Sequence, residues 1–222
     1  LLVIKPDRAA LLAGFGRILQ KIEEDLHQLV TVGRNRWQRG VVVHDEAHVA
    51  GEPQRRKVIS RKASYHGSTI ATAALGGSQD LHDSFGIPMG FSVQVSHPSW
   101  PNAALPGEDE EGFTDRLAEE LEKTILEAGP ETIGAMIAEP MSVSAGMFPP
   151  PDSYFPKITR VLKKYGIQLF IDEVVTGFGR SGRMWATEAM GLEPDCMTCA
   201  KGISGAYMPI AGIIMGEEFN RR

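Results

Sequence analysis

Two apolar segments with a helix-like stretch between them constrain this chain more than any other feature. "IGAMIAEP" at 133–140 and "IQLFIDEV" at 167–174 are near-continuous apolar runs, and both run into acids at their ends. "SYFPKITRVLKKYG" lies between them and reads as a helix with a basic last turn, which suits the helix dipole. Strands that are apolar throughout belong in a sheet covered on both faces, and a helix connecting them makes them parallel. The expected fold class is therefore α/β, a mainly parallel sheet sandwiched by helices. Right-handed crossovers bring the C-terminal ends of such strands to one edge, where α/β proteins bind ligands. Glu139 and Asp172 stand at two of these ends. A carboxylate in such a place is costly unless a cation meets it. Asp172 thus points to a site rather than to a core.

The rest of the chain fits the same plan. Residues 8–30 have apolar residues at helical spacing, whereas 33–50 show no clear period. "RKVIS" at 56–60 and "FSVQVSH" at 91–97 read as strands, and "YHGSTIATAALGG" at 65–77 as a turn followed by a small-residue helix. "SWPNAALPGEDEEG" at 99–112 reads as a loop whose acids face solvent. The next helix, "FTDRLAEELEKTILEAG", would be capped by Thr114 or Asp115 and closed by Gly129.

Charge and composition narrow the function classes. A formal charge of −5 gives no support for nucleic acid or an anionic membrane as partner. No apolar run approaches the roughly 20 residues that span a bilayer. The opening "LLVIKPDRAALLAGFG" has no basic region ahead of its apolar residues and does not fit a secretory signal. Cys196 and Cys199 form a lone C-x-x-C, which could be a redox pair or half of a zinc site. Two small buried residues in a reducing cytoplasm is the reading that wins, because there is no second pair.

Lys201 follows small, uncharged residues and precedes the glycine-bearing "GISGAYMPI". Desolvation there would disfavour its ammonium and leave an amine nucleophile. An acid at a strand end and a lysine 29 positions later (172 to 201) are the pair that pyridoxal 5′-phosphate requires. The lysine condenses with the aldehyde, and the acid keeps the pyridine nitrogen protonated so that the ring accepts electrons. On this reading the cation that offsets Asp172 is the cofactor, not a side chain.

In order along the chain, "YHGSTIATAALGG", "IAEP", "FPPPDSYFPKI", "LFIDEVVTGFGRSGRMWATE" and "AKGISGAYMPI" resemble the class III (omega) aminotransferases of pyridoxal-phosphate fold type I. Of these, the pyruvate-linked omega-aminotransferases are the most similar. The resemblance covers about residues 51–222. It implies a Schiff base on Lys201, which also shuttles the proton, and a pyridine-nitrogen contact from Asp172. It implies Val174 on one ring face, Tyr65 on the other, His66 and Gly67 completing that turn, and Glu139 supporting the site. Val175 stands where several relatives carry a glutamine, and valine cannot replace that hydrogen bond to the cofactor. The implied reaction moves an amino group between an amine or omega-amino acid and a keto acid such as pyruvate, in a homodimer when full-length. A mutase, decarboxylase or racemase of the same fold would use the same lysine and aspartate.

Two regions depart from the family pattern. The family's phosphate-binding Gly-Ser-x-Ala-Asn turn should fall where this chain reads "TVGRNRWQRGVVVHDEAHV", with Gly33 near the expected glycine and Arg34 and Arg36 as basic neighbours. Resemblance resumes abruptly at "GEPQRRKVISR", a pattern that fits either a local misreading of frame or real divergence. The chain also ends at "EEFNRR", before the family's C-terminal small domain. Residues 1–50 are therefore an atypical segment and 51–222 a truncated cofactor-binding core, for which an inactive fragment is the alternative reading.

Overall fold

A computed structural model describes residues 52–87, 90–205 and 207–216 of the chain. The helix expected over 8–30 and the departure over 33–50, with Gly33, Arg34 and Arg36, lie outside the described residues. The strands are β1 (Lys57–Arg61), β2 (Ser92–Val95), β3 (Ile133–Ala138), β4 (Gln168–Asp172), β5 (Cys196–Cys199) and β6 (Gly212–Met215). They form one sheet in the order β2-β1-β3-β4-β5-β6. The first five are parallel to their neighbours, and β6 closes one edge antiparallel to β5. The helices are α1 (Ile70–Leu75), α2 (Gln79–Phe85), α3 (Trp100–Ala103), α4 (Glu110–Ala128), α5 (Tyr154–Lys164) and α6 (Ala186–Ala189).

The core follows from the apolar periods. In α4 the buried Phe113, Leu117, Leu121 and Ile125 recur every fourth residue and make one stripe. In α5 the buried set is Tyr154, Phe155, Ile158 and Leu162. The two helices pack on each other, and both join Ile59, Ile133, Met136, Leu169 and Ile171 of the strands in a single cluster. Each fully buried side chain of this kind contributes about 1.5–3 kcal/mol. The central strands are covered, whereas Ile213 and Ile214 on the edge strand β6 remain exposed.

The acidic segment before α4 differs from the loop expected for it. The helix begins at Glu110, and its cap is Asp109, whose Oδ1 accepts the Gly112 N–H at 2.8 Å. Glu110 and Glu111 lie in the first turn, where negative charge is favourable. Glu108 is paired with Arg116, which holds its carboxyl down at about 2. The expected closure at Gly129 holds, with φ of 88°. A three-residue spacing on β5 directs Cys196 and Cys199 to opposite faces of the sheet. That geometry removes the redox pair, and burial pushes the Cys199 thiol up.

Candidate active site

Because β1, β3, β4 and β5 are mutually parallel along the sheet, their C-terminal ends share one edge. Arg61 ends β1, Glu139 follows β3, Asp172 ends β4, and Lys201 comes two residues after β5. A cleft of about 100 Å³ opens there, lined by all seven residues named from the sequence: Tyr65, His66, Gly67, Glu139, Asp172, Val174 and Lys201. Met141, Val143, Ser144, Val175 and Thr176 complete its wall.

Asp172 is buried and firmly oriented. Its Oδ1 accepts the Val174 N–H at 3.0 Å and the hydroxyl of Thr198, its neighbour across the β4–β5 ladder, at 3.2 Å. Oδ2 stands 2.9 Å from His66 Nδ1. A carboxylate oxygen only accepts, so the hydrogen of this contact sits on Nδ1. The sequence reading left no side chain facing Asp172, and here it is corrected. The strand order carries the turn after β1 across β3 to β4, so His66 reaches an acid that is distant in sequence. His66 Nε2 is buried and has no partner among the described residues.

Glu139 lines the cleft, yet its carboxylate is engaged elsewhere. Oε2 meets Arg61 Nη2 at 3.1 Å and the Ser142 hydroxyl at 3.0 Å, and Oε1 accepts the Tyr65 N–H at 3.4 Å. Arg61 escaped the sequence reading. Its signal was a charged residue closing an apolar strand opposite an acid at the end of another.

Glu173 was missed as well. It is completely buried, with Oε1 accepting the Thr187 N–H at 2.6 Å and the Thr187 hydroxyl at 2.5 Å, and Oε2 accepting the Thr176 hydroxyl at 2.5 Å. Adjacent side chains at a strand end diverge, so Asp172 takes the cleft while Glu173 ties the following loop together. Inside that loop Phe178 packs edge-on to Trp185, with centroids 4.9 Å apart.

Lys201 sits in the left-handed region, with φ of 43°, at the start of a 3-10 turn (Lys201–Ser204). Gly202 beside it lies so close to Phe178 that an added Cβ would fall 2.7 Å from the Phe178 Cβ. The lysine turn is thereby seated on the loop that Glu173 organises. Lys201 is exposed, so this chain by itself does not supply the desolvation expected of it. Tyr65 is also half open, at 47%. The cleft is smaller than the roughly 300–1,000 Å³ of ordinary ligand pockets.

The residues present fit one half of a pyridoxal phosphate site. A buried, three-way held carboxylate, a branched apolar side chain, an aromatic and an amine share one cleft, which matches a cationic heteroaromatic ring carrying an aldehyde. No residue described here supplies the anion-binding turn that its phosphate needs.

The sheet and its cleft define an α/β enzyme core that binds its ligand at the C-terminal edge of parallel strands. The chain belongs to the class-III aminotransferases, whose family pattern it matches over residues 40–222. Pyridoxal 5′-phosphate is that family's cofactor. The chain is 46% identical over 171 residues to gamma aminobutyrate transaminase 2 of Solanum lycopersicum, covering 77% of itself and 37% of that protein. It is 47% identical over 168 residues to the probable mitochondrial gamma-aminobutyrate transaminase 3 of Oryza sativa subsp. indica, with coverages of 76% and 33%. Among solved structures, the omega transaminase of Pseudomonas jessenii in complex with PMP is 40% identical with a TM-score of 0.78. That match takes in 81% of this chain and 40% of the other. The chain thus spans about a third of the length of these curated relatives.

Proposed function

We propose that this chain is the cofactor-binding core of a pyridoxal-phosphate aminotransferase that moves an amino group between an amine or omega-amino acid and a keto acid such as pyruvate. The observation that carries the reading is that Asp172 and Lys201 line one cleft with Val174 and Tyr65. The names of the relatives, gamma-aminobutyrate transaminases and an omega transaminase, support donors whose amine lies away from an alpha carboxylate.

When bound, the cofactor supplies an electron sink for the charge left as the substrate's C–H bond breaks. The chain's own residues have separate tasks. Asp172 would hold the pyridine nitrogen through its carboxylate, whose orientation is kept by the Val174 N–H and the Thr198 hydroxyl. His66 Nδ1 holds the same carboxylate from the protein side, fixing its plane. Val174 and Tyr65 offer an apolar surface to each ring face. Lys201 would hold the cofactor's aldehyde through its amine, which is also the group placed to accept and return a proton. A second copy of the chain in the complete enzyme would cover exposed apolar surface after the lysine turn, where Tyr207 is 93% and Met208 70% exposed.

Absorbance tests the reading. The 222-residue chain with added pyridoxal phosphate should show a near-visible band, which Lys201→Ala removes. Borohydride should fix the cofactor to the peptide bearing Lys201. Absence of both band and adduct in the wild-type chain would favour the second reading, a catalytically silent core. That reading is motivated by the open, 100 Å³ cleft.

A further inference from the structure

Arg61 is the largest fully buried side chain described, and its contacts are uneven. One nitrogen, Nη2, donates to the Glu139 carbonyl at 2.6 Å, to Glu139 Oε2 at 3.1 Å and to Ser142 Oγ at 3.0 Å. Nε and Nη1 have no partner among the described residues. A pair serving stability alone would satisfy the whole guanidinium, because each buried donor left unmade is costly. The hydrogen bonds of Nη2 all go to the segment that follows β3, which forms one wall of the cleft, while the Tyr154 phenol on α5 also interacts with the guanidinium.

From Glu139 the contacts run on toward Asp172. The second oxygen, Oε1, accepts the backbone N–H of Tyr65 at 3.4 Å, and the next residue, His66, reaches Asp172 Oδ2 at 2.9 Å. Two nearby groups leave this path undisturbed. Burial and, secondarily, the charge of Arg61 lower His97 to about 4, and burial raises the Tyr154 phenol, so both are neutral near pH 7. The carboxylate that the guanidinium touches is that of Glu139.

We infer that Arg61 is a positioning residue: by clamping Glu139 it fixes the backbone amide of Tyr65, and so the turn that presents the Tyr65 ring and His66 to the Asp172 side of the cleft. The effect on cofactor rests on the aminotransferase reading, whereas the clamp itself does not.

The test uses the 222-residue chain as wild type, Arg61→Met, Arg61→Lys, Glu139→Gln and the double variant Arg61→Met/Glu139→Gln. The double variant removes both charges at nearly constant volume, which buried pairs tolerate far better than loss of one partner. Amide hydrogen exchange at residues 65–67 is measured without cofactor, and the pyridoxal phosphate dissociation constant is read from the near-visible band. Arg61→Met should accelerate exchange at 65–67 and weaken binding about tenfold, as coupled contacts of this kind do. Arg61→Lys should fall between it and wild type, because the lysine amine ends one bond short of the Nη2 position that meets all three acceptors. In the Glu139→Gln background the arginine change should add almost nothing to either readout.

Unchanged exchange in Arg61→Lys together with additive effects in the double variant would overturn the clamp, even if Arg61→Met alone does not fold. A wild-type chain that shows no near-visible band refutes the aminotransferase reading instead, and the exchange measurement still decides the role of Arg61.

Discussion

Replacing Lys201 by glycine and by alanine separates its backbone from its chemistry. An L-residue held in the left-handed region bears about 1–2 kcal/mol of strain, and Lys201 has φ of 43°. Alanine keeps that strain, since the Cβ causes it. Glycine removes it, at about 0.5–1 kcal/mol of extra freedom in the unfolded chain. The side chain is exposed, so both variants lose equally little packing. The net expectation is that Lys201→Gly is more stable than Lys201→Ala by roughly 0.5–1 kcal/mol, an increase in Tm of about 1–4 °C for a domain of this size. Thermal unfolding without pyridoxal phosphate is the assay, because a ligand of the native state would add its own stabilisation. Both variants should lack the near-visible band. If alanine proves as stable as glycine, the lysine turn is not strained, and the idea that a costly backbone is kept for the sake of an amine fails. Strain retained at a non-glycine residue is the mark of a position held for its side chain.

Gly202→Ala should weaken pyridoxal phosphate binding several-fold and lower stability by about 1–3 kcal/mol, since the new methyl meets Phe178 at 2.7 Å; unaltered binding and stability would show that the lysine turn does not rest on that ring. Thr187→Val removes one donor to the buried Glu173 and should destabilise by about 1–3 kcal/mol, whereas denaturant titration giving less than about 0.5 kcal/mol would contradict the role of Glu173 in tying the loop. Burial, with the nearby charge of Arg61, holds the His97 imidazole down at about 4, against its ordinary value of 6.5. The unfolded chain therefore takes the proton first, and the contribution of His97 is complete above 6.5 and declines as pH falls toward 4. His97→Gln should flatten stability across that window, and an unchanged slope in Tm against pH would refute the assignment.

Local pattern made much of the site legible. Asp172 and Glu139 end apolar runs and Lys201 opens a glycine-bearing loop, so each could be named from its neighbours in sequence, whereas Tyr65, His66, Gly67 and Val174 were named from the family resemblance of their motifs. Their pairings could not. Arg61 looked like the polar end of a short strand because nothing near it in sequence answers its charge. The start of α4 was misplaced because acids that suit a first helical turn also suit a solvated loop. The exposure of Lys201 was hidden too, since small flanking residues suggest burial without saying what covers them.

From the sequence alone come the succession of strands and helices and the mainly parallel sheet, because these depend on periods and runs a few residues long, while the resemblance of its motifs to the class III aminotransferases named the residues around the cleft. Tertiary structure decided which strand ends are neighbours. With β1 beside β3 and β3 beside β4, Arg61 meets Glu139 and His66 meets Asp172. Those contacts join residues far apart along the chain, and only the strand order of the folded sheet brings them within hydrogen-bonding distance.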